Sequence, residues 1–205
     1  LICSSIMSKK IAEGLDGLAM DIKVGNGAFM KTFQQAKNLG VELKKIGNSF
    51  DIDIGITYSN MSQPLGEYAG LKCEINEAVD CLKGTGPDDV TQLSVDLCAN
   101  ILVQSGMSTN KPEAKTLLMK NIKNGRALEK FEEMIVAQNG DLNDIYPKRK
   151  IAKNLIKIKS KETGYIKSIN TEKIGWALVE IGCGKKVISD ILDHSAGIKT
   201  NYKVG

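Results

Sequence analysis

The stretch from Ser4 to Met30 constrains the fold more than any other. Its opening, Ser4-Ser5-Ile6-Met7-Ser8-Lys9-Lys10-Ile11-Ala12-Glu13, reads as the end of a helix: Lys9 and Lys10 suit the last turns and Gly14 closes it. Leu15 to Val24 is a short apolar run with Asp21 and Lys23 near its end, which predicts a buried strand. Gly25-Asn26-Gly27 turns the chain. Phe29, Phe33, Ala36 and Leu39 then recur at helical spacing from Ala28 until Gly40 stops the helix.

After Phe50 the apolar period falls to two, with Ile52, Ile54 and Ile56 alternating with Asp51, Asp53 and Gly55, the pattern of a strand with one apolar face. Asn60 to Gly66 is a loop fixed by Pro64, and residues 67–83 read as a helix ending at Gly84. Gly86-Pro87-Asp88-Asp89 opens the next helix, with acids at its positive end and a stripe of Val90, Leu93, Leu97, Cys98, Ile101 and Leu102. Lys111-Pro112-Glu113 opens another in the same manner, and Gly125 and Gly140 bracket one carrying Leu128, Phe131 and Ile135. From 151 to 182 helical spacing is lost and the texture becomes strand-like, which puts a domain boundary near 147–152. The expected architecture is α/β: the end of a helical domain or hinge in residues 1–14, a mixed sheet flanked by helices in residues 15–146, and a small α+β, strand-rich C-terminal domain, itself incomplete, in residues 147–205.

Composition removes several functions. Apolar residues make up 42% and no run of them is long enough for a membrane span, so a membrane partner is not expected. No charged-then-apolar leader of the secretory kind is present. Aromatics, at 5%, are too few for a base-stacking single-strand binder. The five cysteines are odd in number and scattered, with no Cys-x-x-Cys and only one histidine, which argues against zinc and for free thiols in a reducing cytoplasm. Residues 147–173 hold nine Lys/Arg against two Glu. Lys153, Lys157, Lys159 and Lys161 interleave with Leu155, Ile156 and Ile158, so this is a strand with one solvated face rather than a nucleic-acid surface.

Ser5 and Lys9 stand four apart and share one face of the first helix. The hydroxyl donates or accepts a hydrogen bond and the ammonium only donates, a pairing that matches a flat imide such as uracil or thymine. Spacing alone does not separate this from an ordinary solvated face.

Three blocks add to it: SSIMSKKIAEGLDGLAMDIKVGNGAFMKT, MSQPLGEYAG and GYIKSINTEKIGWALVEIGCG. The first resembles the segment of thymidine phosphorylase and pyrimidine-nucleoside phosphorylase that reads close to S-I-x-S-K-K-x-A-x-G-L-D followed by M-D-[VI]-K-x-G-x-G-A-F-M, and the resemblance extends over almost the whole chain. It implies phosphorolysis of thymidine, deoxyuridine or uridine to free base and (deoxy)ribose 1-phosphate in a cytoplasmic homodimer without an organic cofactor. It implies Lys9 and Ser5 as catalytic and base-binding residues, with Ile2 and Phe29 lining the apolar side of the base pocket. It also implies a monovalent cation, potassium, held by the backbone carbonyls of Leu65 and Tyr68 and the carboxylate of Glu77. Tyr68 stands where the family has a small residue, Asn60 replaces an acid common there, and Leu71-Lys72-Cys73 differs from the usual Asn-Ala-Leu or Asn-Ala-Val.

The family's phosphate stretch, Lys-His-Ser-Thr-Gly-Gly, and its base-binding arginine lie N-terminal to the matching segment and are absent from these residues, so the resemblance implies the base side of a site without the phosphate side. The Gly25-Asn26-Gly27 turn is a weak phosphate-loop signal, a Gly-x-Gly without a third glycine or Gly-Lys-Ser/Thr. His194 is expected to be structural and Trp176 to be core. Two other readings remain open at this point: a phosphoribosyltransferase of the same general fold, such as the anthranilate enzyme, and a non-catalytic module binding an anionic partner.

Overall fold

The computed structural model describes residues 1–146 and 155–205, which divide into two compact units: residues 1–61 with 92–120, and residues 62–91 with 121–205.

The first unit is built on a β-α-β crossover. Helix α1 (Ile2–Ala12) ends at Glu13, with Gly14 in the left-handed region at φ 66°. Strand β1 (Gly17–Val24) leads through the glycine turn to α2 (Phe33–Asn48) and then β2 (Asp53–Asn60). The two strands pair in parallel from Gly17↔Asp53 to Val24↔Asn60, and a parallel pair needs a crossover of this length. Met7, Ile22, Ala36, Leu43, Ile52 and Ile54 form the buried core between α1, α2 and the strands.

Helix α2 differs from the expected span of 28–39. It starts at Phe33 because Thr32 and Gln35 form a capping box: the Thr32 side chain accepts the Gln35 N–H, and the Gln35 side chain accepts the Thr32 N–H. It runs on through Gly40, which is buried inside the helix. A Cβ there would stand 2.6 Å from Tyr58 Oη, so this glycine is a close-approach residue and not a stop. Gly47 is a second close-approach residue on the same helix, where a Cβ would lie 2.4 Å from Ile54 Cδ1 and 3.0 Å from the Ile52 carbonyl.

Helices α4 (Asp88–Gln104) and α5 (Lys111–Lys123) begin where their Pro and acid signals place them. The buried face of α4 is Val95, Ala99 and Asn100, and the Cys98 and Ile101 of the expected stripe are exposed. The rotation follows from polar contacts with β2: Asn100 Nδ2 donates to Thr57 Oγ1 at 3.1 Å, and Gln104 Nε2 to the Asp53 carbonyl at 3.1 Å. An ion pair between Lys115 and Asp96 links α5 to α4.

The second unit contains β3 (Tyr68–Ala69), α3 (Leu71–Leu82), α6 (Arg126–Ala137), a 3-10 turn at Leu142–Asp144, α7 (Thr171–Glu180) and β4 (Ile198–Lys199). Strands β3 and β4 pair antiparallel, Tyr68↔Lys199 and Ala69↔Ile198. The described strands therefore form a small parallel sheet and a small antiparallel sheet, not one mixed sheet. The strand-like reading of 151–182 is corrected over its described part, 155–182; residues 151–154 lie outside the described residues. Residues 155–170 carry no strand, and 171–180 are helical because the Asn170 side chain accepts the Lys173 N–H as an N-cap. Trp176 on that helix is 66% exposed, so it is not core. The boundary expected near 147–152 falls within 147–154, outside the described residues. All five cysteines are free, with Cys73 buried and Cys98 exposed. Among the described residues, no helix is long and apolar enough to cross a membrane.

Gly47→Ala gives the sharpest test of this packing. Alanine gains about 1 kcal/mol of helix propensity over glycine, but overpacking against Ile54, itself 3% exposed, costs about 1–3 kcal/mol. A net loss of stability is expected in urea denaturation. A raised midpoint would show that α2 does not ride this close to β2.

Candidate functional site

Helix α1 turns Met7, 1% exposed, into the core. Ser5 and Lys9 lie two residues either side of it, each about 160° round the helix. Both are exposed, and so is Ile2. The hydroxyl and the ammonium thus share the solvent side of a helix whose other side is anchored. Lys10, next to Lys9, is paired with Glu13 at 3.0 Å.

Phe29 sits in the turn after β1, ahead of α2, and is 80% exposed. Its neighbours in the turn are tightly held. Gly25 N–H donates to the Met30 carbonyl at 3.0 Å, Gly27 N–H to Met61 at 2.9 Å, and Ala28 N–H to Gly25 at 3.0 Å. Three of the donors that a phosphate loop would need are already spent on backbone carbonyls, so the turn is a rigid platform and not an anion cradle.

Beside that platform, at the C-terminal ends of the parallel strands, is a polar cluster that sequence reasoning did not single out. Lys23 Nζ lies 2.6 Å from Asp21 Oδ2 and donates to Ser59 Oγ at 2.9 Å, and Ser59 Oγ donates to Asp21 at 2.7 Å. Asp21 and Lys23 share a face by strand alternation, a signal readable in Asp21-Ile22-Lys23. Ser59 is brought in by the register, as the partner of Lys23. Ligands of open α/β sheets bind at this carboxyl edge of the strands.

Leu65, Tyr68 and Glu77 lie in the second unit. Glu77, on α3, is 6% exposed. Its Oε1 accepts the N–H groups of Glu67 at 2.7 Å and Tyr68 at 3.2 Å. The loop lies so close that a Cβ on Gly66, at φ 70°, would come within 2.1 Å of Glu77 Oε2. Burial pushes the Glu77 carboxyl above its usual 4.5. The two N–H donors oppose the rise, and the Asp89 and Glu67 charges add to it. Asp89 goes the other way: burial raises it, but the Lys203 ammonium and the N–H groups of Gly66 and Val90 outweigh that and hold it below the usual 3.8. The loop thus turns two backbone N–H groups, of Glu67 and Tyr68, toward one buried carboxylate whose charge is disfavoured. Among the described residues no group of three or more His, Cys, Asp or Glu is placed to hold a metal ion. His194 is exposed, and its carbonyl accepts the Lys72 N–H at 3.4 Å.

Comparison with known proteins gives one answer along the chain. Residues 165–205 match the family model described as the pyrimidine nucleoside phosphorylase C-terminal domain. The pyrimidine-nucleoside phosphorylase of Staphylococcus epidermidis is 41% identical over 207 aligned positions, which cover 100% of this chain and 48% of that protein. The Staphylococcus aureus protein of the same name, from strain USA300, is again 41% identical with the same coverage. The chain thus spans about half the length of the curated relatives it matches.

The Glu77 environment has a measurable sign. A carboxyl raised in the folded state holds its proton more tightly folded than unfolded, so its stabilising contribution is present below pH 4.5 and is lost as the pH rises through the folded value. Glu77→Gln is neutral throughout. In potassium-free buffer its stability relative to the parent is expected to improve from acid pH to neutrality, read as urea midpoints across that range. A flat difference would mean that Glu77 ionises as freely folded as unfolded.

Proposed function

This chain is a relative, over its whole length, of the pyrimidine-nucleoside phosphorylases, and from that premise we propose that it carries the base-recognising side of the same reaction. The substrates are a pyrimidine nucleoside (thymidine, deoxyuridine or uridine) and inorganic phosphate. A phosphate oxygen bonds to the anomeric carbon as the bond from that carbon to the base nitrogen breaks, giving a pentose 1-phosphate and the free pyrimidine. The observation that carries this reading is the exposed Ser5–Lys9 pair on α1, within the segment whose motif led to the family.

In this mechanism the departing base gathers negative charge as the sugar becomes cation-like. A Lys9 ammonium aimed at a ring carbonyl stabilises that charge more in the transition state than in the bound nucleoside, and this difference lowers the barrier. Ser5 orients the imide edge, and Ile2 and Phe29 supply apolar walls. Phe29 suits that task because its ring is already out of the core. No organic cofactor is required. The carbonyls of Leu65 and Tyr68 with the carboxylate of Glu77 would hold one potassium ion, which supplies positive charge to the loop that Glu77 anchors. We place the activity in a homodimer in the cytoplasm, a setting that suits five free thiols.

In the full-length parent, release of thymine or uracil should require phosphate, and release without phosphate would point to a hydrolase and overturn the reading; these 205 residues by themselves are expected to be inactive. Lys9→Met should lower kcat by about 100- to 1,000-fold, and Ser5→Ala should fall in the same direction. Chromatographic assay of free base checks both. Unchanged turnover in Lys9→Met would remove Lys9 from the chemistry.

A further inference from the structure

The C-terminal segment clasps the loop that precedes β3. Thr200 N–H donates to the Glu67 carbonyl at 2.8 Å, and Val204 N–H to Gln63 Oε1 at 2.9 Å. Between these two anchors Lys203 reaches into the loop. Its Nζ donates to the Pro64 carbonyl at 2.6 Å and to the Gly66 carbonyl, and lies 3.1 Å from Asp89 Oδ2. The same Asp89 oxygen accepts the Gly66 N–H at 3.1 Å. The lysine side chain is 28% exposed, so most of it is covered.

This is not an ordinary surface ion pair, which contributes little. A singly charged centre sits among oxygens only, two neutral backbone carbonyls and one carboxylate, and all three partners belong to one short loop and the start of one helix. That is the donor set a hard monovalent cation takes. We propose that Pro64 O, Gly66 O and Asp89 form a monovalent-cation site filled by the chain's own Lys203 ammonium. The occupant cannot diffuse away, and it ties the C-terminal segment to the loop that Glu77 also holds. The donor atoms differ from those of the potassium site proposed at Leu65, Tyr68 and Glu77: the Pro64 and Gly66 carbonyls and the Asp89 carboxylate here, the Leu65 and Tyr68 carbonyls and the Glu77 carboxylate there. All of its residues belong to the second unit.

The test is chemical replacement of the tethered ion. Lys203→Met is expected to lower the melting temperature in choline chloride by roughly 5 °C. Some of that loss should return when potassium replaces choline at constant ionic strength, and the gain should exceed the parent's own response to potassium. Lys203→Gln, which keeps a donor but no charge, is the milder second variant and should behave alike. Variants that melt with the parent in choline overturn the proposal. So does a loss that potassium does not return in either variant, including failure to fold in both salts. The parent's own potassium response reports the Leu65, Tyr68 and Glu77 site, so the two assignments fail independently.

Discussion

Everything placed in the first unit depends on the parallel register of β1 and β2. Parallel strands cannot be joined by a tight turn, so the pairing of Gly17 with Asp53 commits the intervening residues to a helix lying across the pair. The same register decides the chemistry at the strand ends. It sets Ser59 opposite Lys23, and strand alternation puts Asp21 on the same side, so a hydroxyl joins an ammonium and a carboxylate with no local sequence signal linking it to them. A slip of β2 by one residue would send Ser59 to the face opposite Asp21 and Lys23.

The second unit is organised by a different force, the need to satisfy buried charge. Glu77 is carried into the interior by α3, and its cost there is offset only in part by two loop N–H groups. Asp89 and Lys203 complete the arrangement from other regions of the chain. Gly66 is the hinge of this geometry, because any Cβ at that position would strike the carboxylate. The loop is therefore shaped by electrostatics from several sides, and its backbone oxygens are presented as a consequence.

The crossover is legible in the sequence because its elements announce themselves locally: an apolar run, an Asn-centred glycine pair, then strict alternation at Ile52 and Ile54. The errors also have local causes. Phe29 fits the helical spacing of Phe33 and Ala36, but the Thr32–Gln35 capping box fixes the helix start four residues later. Asn170 begins α7 inside a tract whose alternation suggests strands, since one side-chain acceptor at an N-cap outweighs a weak β pattern. Residue type alone assigns Trp176 to a core, and residue type does not say which side of α7 is covered. The Ser5–Lys9 pair is visible because its two members are one helical turn apart. The Lys203 clasp is not, because Lys203 and Pro64 stand 139 residues apart and only the folded chain brings them together.

Two glycines on α2 carry a consequence for what keeps that helix formed. Gly40 and Gly47 let the helix lie against Tyr58 and Ile54, but each costs about 1 kcal/mol of helix propensity relative to alanine. A sixteen-residue segment with two such positions has little helicity by itself in water. Its turns become favourable once β1 and β2 supply the surface that the glycines were cut to fit. Helix α2 therefore owes its stability to the surface of the strand pair more than to its own propensity, and the pair in turn is covered by a helix shaped to nothing else.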